Sequence, residues 1–560
     1  MKRTKIVLSV LLTGIMTLSV FSGCGSSSSS GTQPTKNGIK HFTAFYAYSG
    51  KVTKPNNRVA NVIAKKLGAT VDETYLTGQT PKERIGVMIA GGKYPDMIDA
   101  SDATQQLIKA KALIPIDKYW DKYPNIKNFY SKADWNKFRQ PDGHIYYINQ
   151  YGGTPSPNNP TPTYTGEAFW IQKRVLEWAN YPKITTLDQY FDLIEKYKAA
   201  HPTTDGQPTI GFEIVSDDQN SSCAFQLENP PQFLAGYPND GKAIIDPKTL
   251  TAHDYDTIPE AKEYFQKLNQ EYSKGVIDQQ TFTASHDQYI SKLSAGRVLG
   301  MIDQQWNFHN NAEAALIQRG KYDETYVPFG VTIDPNVKPH YNTLSAVNGG
   351  AGLGISVSCK DPQGALKFIN DLLSPKMELL RNWGVKGTDY EVDSKGLDYR
   401  TQKQRDENNN VNWVDNNMAP YGNLPGLSGC MQKDGINAMA ATDQLGEFQA
   451  GLSEIDKKVL AGYGYKKWTD FMNKPEPKNP AWYPIWSYVN SMPPDDPGLL
   501  AYQKVDDIKK QSLPKIIIGS TGAFESNWNA YQAQIKGQKD IQTYENSLTK
   551  EVKRRVKLFK

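Results

Sequence analysis

Along the chain, apolar positions follow a strand–helix–strand rhythm. HFTAFYAYS (41–49) is apolar and aromatic and predicts a strand. NRVANVIAKKLG (57–68) repeats its apolar positions with a helical period and stops at Gly68, and ATVDETYL (69–76) is a second strand. In TPKERIGVMIAGG (80–92), Thr80 and Glu83 form a capping box and Pro81 takes the first helical position. Ile85, Met88 and Ile89 share one face of that helix, and Gly91–Gly92 end it. YPDMIDAS (94–101) is a short buried strand running into a loop. The order βαβαβ predicts an α/β lobe with a largely parallel sheet. Such sheets bind ligands beyond the carboxyl ends of their strands, which singles out Asp99, Ser101 and Asp102.

A second region begins near EAFWIQKRVLEW (167–178). TTLDQYFDLIEKYKAAHP (185–202) is an amphipathic helix boxed by Thr186 and Gln189, with Leu187, Tyr190, Phe191 and Ile194 on its buried stripe. IPEAKEYFQKLNQEYSKGVID (258–278) is another helix with a glycine stop. GRVLGMIDQQWN (296–307) reads as a short strand followed by a polar loop, and GAGLGISVSC (350–359) as a glycine-rich strand. DPQGALKFINDLLSP (361–375) is a helix capped by Asp361.

The first 23 residues are of a different kind. MKRTK is basic, and IVLSVLLTGIMTLSVFSG carries no charge over eighteen residues. That pattern suits a membrane anchor or a signal peptide, and the small Ser22 and Gly23 before Cys24 favour cleavage. VFSGC resembles a bacterial lipoprotein signal, in which Cys24 becomes the lipidated first residue, with Phe21 where leucine is usual. SSSSSGTQPTKNG (26–38) has the composition of a flexible tether, so the folded part is expected to begin near Lys40.

Composition narrows the chemistry. The 560 residues suffice for more than one core, and 38% hydrophobic with 22% charged residues describes a globular protein unusually rich in tyrosine (32) and tryptophan (11). Loss of residues 1–23 removes three positive charges and no acids, lowering the formal charge from +5 to +2. That balance gives no reason to expect a nucleic-acid partner. Cys24, Cys223, Cys359 and Cys430 have no CxxC spacing, and His41, His144, His201, His253, His286, His309 and His340 do not cluster, so no metal site and no cofactor are expected.

Spaced phrases match one family: GGKYPDMI (91–98), ALIPIDKYWDKYPNI (112–126), DGHIYYI (142–148), FWIQKRVLEWANYPKITTLDQYFDLIEKYK (169–198), KGVID…AGRVLGMI (274–302) and CKDPQGALKFINDLLSPKMELLRNWGVKGTDYEV (359–392). Together they resemble the extracellular solute-binding lipoproteins of bacterial carbohydrate ABC transporters, in particular the long members that capture oligosaccharides. The resemblance implies a two-lobed α/β, periplasmic-binding-protein-like fold with hinge strands and a ligand cleft between the lobes. It places residues 40–165 plus about 345–405 in the first lobe and 166–344 plus about 406–560 in the second. It also implies a monomer, lipid-anchored on the outer face of the membrane, that delivers an oligosaccharide to permease subunits and does no chemistry itself. Some members carry a calcium loop after the helix matching 185–200; HPTTDGQPTIG (201–211) has one carboxylate, Asp205, which is too few.

A sugar ring offers a C–H face to aromatic rings and a rim of hydroxyls to planar polar side chains. DQQWNFHN (303–310) fits best: Asp303, Gln304, Gln305 and Asn307 flank Trp306 after a strand. Tyr46 and Tyr48 follow the first strand, with core packing an equal reading. Tyr151 and Trp170 flank the passage between lobes, Trp383 lies where the family phrase nears the cleft, and Trp413 and Asp415 sit in a polar stretch. These, with Asp99, are the candidate ligand residues. Trp482 and Trp486, four apart, read as core. Two other functions fit the same composition: a lipid-anchored glycoside hydrolase, which would need two carboxylates about 5–9.5 Å apart, and a peptide-binding or sensor protein using the same fold.

Overall fold

A computed structural model describes residues 33–36, 38–152, 159–215, 225–240, 242–344, 346–476, 478–537 and 539–558. The signal, most of the tether, Cys24 and Cys223 lie outside the described residues, as does the side chain of Tyr151.

Among the described residues ten strands form the two sheets that organise the lobes. One is the short Gln33–Lys36, which pairs antiparallel with the start of Ile39–Tyr46 at the margin of the first sheet. In chain order the other nine are β1 (Ile39–Tyr46), β2 (Ala69–Tyr75), β3 (Met97–Asp99), β4 (Tyr147–Ile148), β5 (Glu167–Gln172), β6 (Ile210–Glu213), β7 (Val298–Gln304), β8 (Tyr326–Phe329) and β9 (Leu353–Ile355). The first sheet has the order β2-β1-β3-β9-β4, and the second β6-β7-β5-β8. Within the first, β1 runs parallel to β2 and β3. Two strand–helix–strand units account for this, and their helices end where the sequence predicts. The helix Arg58–Leu67 stops on Gly68 (φ +68°) and Pro81–Gly91 on Gly92 (φ +61°), a left-handed conformation that costs glycine nothing. The Thr80–Glu83 and Thr186–Gln189 capping boxes are both formed, each worth about 1 kcal/mol. Six of the seven residues of β7 are buried, as a strand covered on both faces requires.

Each sheet has its own core. Phe42, Val59, Ile63, Phe138, Tyr147, Leu353 and Leu366 belong to the first; Phe169, Trp170, Tyr190, Phe212, Leu268, Met301 and Val327 to the second. Among the described residues the chain passes between these two cores three times: from Ile148 to Tyr164, from Tyr341 to Val347, and from Leu424 to Val459. Residues 406–427, which the resemblance groups with the second lobe, pack on the first. Met418, Tyr421 and Leu424 are in its core, and Gly426–Leu427 pairs in parallel with Tyr151–Gly152. A further core joins Ile245, Ile485, Val489, Ala501, Tyr544 and Leu548. Its helix Pro497–Ile518 also supplies Val505 and Leu513 to the second lobe's core.

Topology places the functional edge. Strands β1, β2, β3 and β4 all end on one side of the first sheet, and β9 begins there, directly after a crossing. In the second sheet β6, β7 and β8 end on the side where β5 begins, again directly after a crossing. The carboxyl-end edge of each sheet is therefore the edge at which the lobes are joined.

Candidate functional site

On the first edge, Tyr46, Tyr75 and Asp99 are the last residues of their strands and stand in one register row. Tyr46 stacks on Tyr75 with centroids 5.0 Å apart, and Tyr48 tilts against Tyr46 at 5.8 Å. Tyr48 donates to Gln150 Oε1 (3.1 Å) and at longer range to Asp99 Oδ2 (3.4 Å). Asp99 also accepts the backbone N–H of Ser101 (3.0 Å), a residue held at φ +50°. Burial pushes the Asp99 carboxyl up to about 6, against the lowering by these two donors. Glu73 accepts the N–H of Thr53 (2.9 Å), and Asn423 donates to the Tyr75 hydroxyl (2.8 Å). The Tyr46 hydroxyl is buried with no hydrogen-bond partner among the described residues. Tyr48 and Tyr75 are half-buried, so the edge shows solvent a small aromatic ridge backed by carboxylates.

On the second edge, Asp303 is fully buried near the end of β7. It accepts from the Tyr289 hydroxyl (2.6 Å), from Asn307 Nδ2 (3.1 Å to each oxygen) and from the N–H of Gln304 (2.7 Å). Burial still dominates, pushing its carboxyl up to about 7. Beside it Glu167, buried at the start of β5, accepts from Asn229 Nδ2 (2.9 Å) and is raised well above the usual carboxylate range by burial. Asn307 is held from its other side by His286 (3.0 Å). Above this cage the chain turns into the helix Gln305–Phe308 rather than the expected loop, and Trp306 projects from it, 50% exposed. Its indole N–H is bonded to Gln304 Oε1 at 2.6 Å. Asp303 thus fixes the helix through Asn307, and the helix presents an indole face.

The predicted residues therefore separate into groups. Asp303, Gln305, Trp306 and Asn307 come together, as do Tyr46, Tyr48 and Asp99, though only Trp306 and Tyr48 among them reach the surface appreciably. Trp170 is not at a passage: it lies mid-strand in β5, 3% exposed, its indole N–H donated to the carbonyl of Asp303 (2.7 Å), a core role. Trp383 is fully buried, bonded to the carbonyl of Ala438 (3.2 Å) and packed on Tyr390. The stretch around Trp413 is a helix, Val411–Asn417, capped by Asn410. Trp413 leans on the first core, and Asp415 pairs with Lys51 (2.6 Å) and Lys54 (3.7 Å). Trp482 lies outside the helix Trp486–Val489, so the two share no helical face. Sequence reasoning missed Tyr75, Gln150, Asn423, Glu167, Tyr289 and His286. Tyr75 ends a predicted strand and was within reach of the strand-end rule; Asn423 and Tyr289 arrive from distant segments and carried no local signal.

The loop after the helix Leu187–Ala200 is a small hairpin, Thr203–Thr204 against Gln207–Pro208, whose Asp205 meets the Lys321 ammonium at 3.3 Å. Among the described residues no group of three His, Cys, Asp or Glu side chains is placed to hold a metal, and this loop does not fit calcium. No helix among the described residues is long and apolar enough to cross a membrane.

A model of the family described as bacterial extracellular solute-binding protein matches residues 59–381. No curated protein sequence matches the chain. Three solved structures are similar along nearly the whole chain. The alginate-binding protein AlgQ2, without calcium ion, aligns with a TM-score of 0.61 at 16% identity, covering 93% of this chain and 99% of that one. An HMO-binding, ABC-transporter-associated solute-binding protein from Bifidobacterium longum infantis gives 0.61 at 18%, with the same coverage. An EF-hand mutant of the Streptococcus pneumoniae ABC-transporter substrate-binding protein FusA, in complex with fructo-nystose, gives 0.61 at 18%, covering 92% and 99%. At such identities the likeness is one of fold, and the fold is the two-lobed one.

Proposed function

The chain belongs to the bacterial extracellular solute-binding proteins, which are binding proteins and not enzymes, and from that premise we propose that it captures an oligosaccharide outside the cell and hands it to the permease of an ABC transporter. The observation that carries this reading is Trp306: a half-exposed indole, its N–H already bonded, on a short helix pinned through Asn307 by the buried Asp303 at the carboxyl-end edge of the second sheet. An indole held this way offers its face to the C–H side of a sugar ring. The tyrosine ridge with Gln150 and Asn423 on the first edge supplies a second platform and planar polar partners. Three solved neighbours are named for glycans, which agrees with this ligand class.

The finer reading is a neutral, plant-derived chain. The polar groups next to Trp306 in sequence, Gln304, Gln305 and Asn307, are amides, the acids beneath it are buried, and the expected mature charge of +2 gives no pull on a uronate. A ligand touching both edges stabilises the closed arrangement of the lobes, so hinge closure around it follows from differential contact. Cys24 would carry the lipid that keeps a monomer beside its permease.

A thermal-shift screen of neutral, acidic and amino-sugar oligosaccharides of graded length, with peptides alongside, tests the ligand class. A specific glycan should raise the melting temperature by mass action. Peptides that stabilise the protein where no glycan does would overturn the reading. Small-angle scattering with a tightly bound glycan should show compaction, and Cys24→Ala should release the protein from cells.

A further inference from the structure

We propose that His286 is a positioning residue for the Trp306 indole: its ring Nε2, hydrogen-bonded to Asn307 Oδ1 at 3.0 Å, ties the helix that carries the sugar platform to a separate element of the lobe. The proposal rests on the oligosaccharide reading above.

The helix Gln305–Phe308 is a single turn, too short to hold its own place. Its far end continues into His309–Glu313, where Glu313 accepts the N–H of Tyr326 in β8 (2.8 Å). Its near end is held through Asn307, whose amide donates to both oxygens of Asp303. Those residues are four apart, so that link closes a short turn of one chain segment. The tie to another element comes from the helix His286–Ser294, which meets the turn twice. Tyr289 donates to Asp303 Oδ2 (2.6 Å), and His286 meets Asn307. That helix is itself fixed: Tyr289 and Leu293 lie in the lobe's core, and Lys292 pairs with Glu213 of β6 (3.3 Å).

Hydrogen-bond roles settle which way the contact runs. An amide oxygen only accepts, so Nε2 of His286 carries the proton and donates it to Asn307. Reversal of the Asn307 amide would turn its oxygen toward both carboxylate oxygens of Asp303. One imidazole N–H thus selects one amide orientation, and that orientation sets the residue beside Trp306. Tyr289 is fully buried, so its truncation would open the core, whereas His286 is half-buried at the helix start. The first turn is capped without it, by the Ser285–Gln288 box. His286 can therefore be changed while the lobe keeps its packing, and what changes is how firmly the indole is aimed. A supporting side chain of this kind holds a binding group within the narrow geometry its ligand needs.

The test uses the full mature chain with 5-fluorotryptophan in place of tryptophan; Trp306→Phe identifies the Trp306 fluorine resonance. His286→Leu should shift or broaden that resonance. It should also weaken, about fivefold by calorimetry, whichever of xylotetraose, cellotetraose, mannotetraose and lacto-N-tetraose the parent binds. His286→Gln, whose amide N–H can reach the place of the imidazole N–H, should restore both. In the Trp306→Ala background His286→Leu should cost no further affinity, because the two act through one contact. Should His286→Leu melt early, His286→Asn, polar but too short to reach, takes its place. Three outcomes overturn the positioning role and leave the oligosaccharide reading standing: a Trp306 resonance indifferent to His286→Leu, a His286→Gln variant that behaves as His286→Leu does, or an affinity loss that persists without the indole. A resonance that responds to His286→Leu and recovers in His286→Gln, while peptides bind and none of the sugars does, supports the positioning role and overturns the oligosaccharide reading.

Discussion

At the carboxyl end of β3, Asp99 accepts one backbone N–H at 3.0 Å and a tyrosine hydroxyl at 3.4 Å. At the carboxyl end of β7, Asp303 accepts a tyrosine hydroxyl at 2.6 Å, both arms of an asparagine contact and a backbone N–H. Both acids are buried in sheet edges joined by the same crossings, yet their roles differ. Asp99 backs a ridge of tyrosines that reaches solvent directly. Asp303 stays hidden and fixes the helix that carries Trp306. The first edge shows tyrosine rings to solvent, whereas the second is a pedestal whose half-exposed indole is set from below. Burial decides the cost in both cases, and the number of donors decides what is obtained for it.

Titration should separate the two acids most widely. The folded-state carboxyl of Asp303 sits near 7 and that of Asp99 near 6, both above the 3.8 of an exposed aspartate. A raised acid binds its proton more tightly folded than unfolded, so its contribution to stability is complete below about pH 4 and falls as pH rises. For Asp303 the fall continues to about pH 7, at up to about 1.4 kcal/mol per pH unit, or about 4 kcal/mol in all. For Asp99 it ends about one unit earlier. Thermal melts from pH 4 to 8 should therefore show Asp303→Asn gaining on the parent up to pH 7 and Asp99→Asn only up to pH 6. Identical profiles would mean that the two sites are electrostatically alike.

Truncation should rank the same way. Asp303→Ala strands the Tyr289 hydroxyl, Asn307 Nδ2 and a backbone N–H, a loss of about 3 kcal/mol. Asp99→Ala strands one backbone N–H and a long hydroxyl contact, about 1 kcal/mol. Urea unfolding followed by tryptophan fluorescence measures the difference, and equal losses would break the contrast between pedestal and ridge. The exposed indole should behave oppositely. If the proposed function holds, Trp306→Ala should lower affinity for the glycan about 30-fold, or about 2 kcal/mol, while stability changes by under about 0.5 kcal/mol, because the indole is half in water already. Calorimetry and melting on one sample decide it; a large loss of stability would make Trp306 a core residue.

How legible this was depends on how local the signal is. The helices Arg58–Leu67, Pro81–Gly91 and Leu187–Ala200 could be read to their caps because boxes and glycine stops are written within a few residues. That Asp303 and Trp306 stand together could be read because a strand end and a polar cluster are adjacent in sequence. Trp170 and Trp383 were misplaced because exposure is not a local property. Trp170 lies between β7 and β8, paired with Met301 and Pro328, and Trp383 is covered by Ala438, 55 residues on. Sequence neighbours describe neither cover. The same reason hid the packing of 406–427 on the first lobe, which rests on Met418, Tyr421 and Leu424 meeting strands more than 300 residues earlier.

The smallest expected effect probes how the edges cooperate. Tyr48→Phe keeps the ring and removes the hydroxyl that reaches Gln150 and Asp99, while Asp99 retains the N–H of Ser101. Stability should fall by about 0.5 kcal/mol and glycan affinity about threefold. The informative measurement is the double variant with Trp306→Ala. The two residues belong to different lobes, so their stability effects should add to within about 0.5 kcal/mol. Affinities should not add. If closure depends on a ligand held from both edges, removal of the indole already forfeits much of the closed state, and the hydroxyl then has less to contribute. The threefold loss should shrink toward none in the Trp306→Ala background. A full threefold loss there would mean that the ridge grips the sugar without closure, and that the two edges work as independent surfaces.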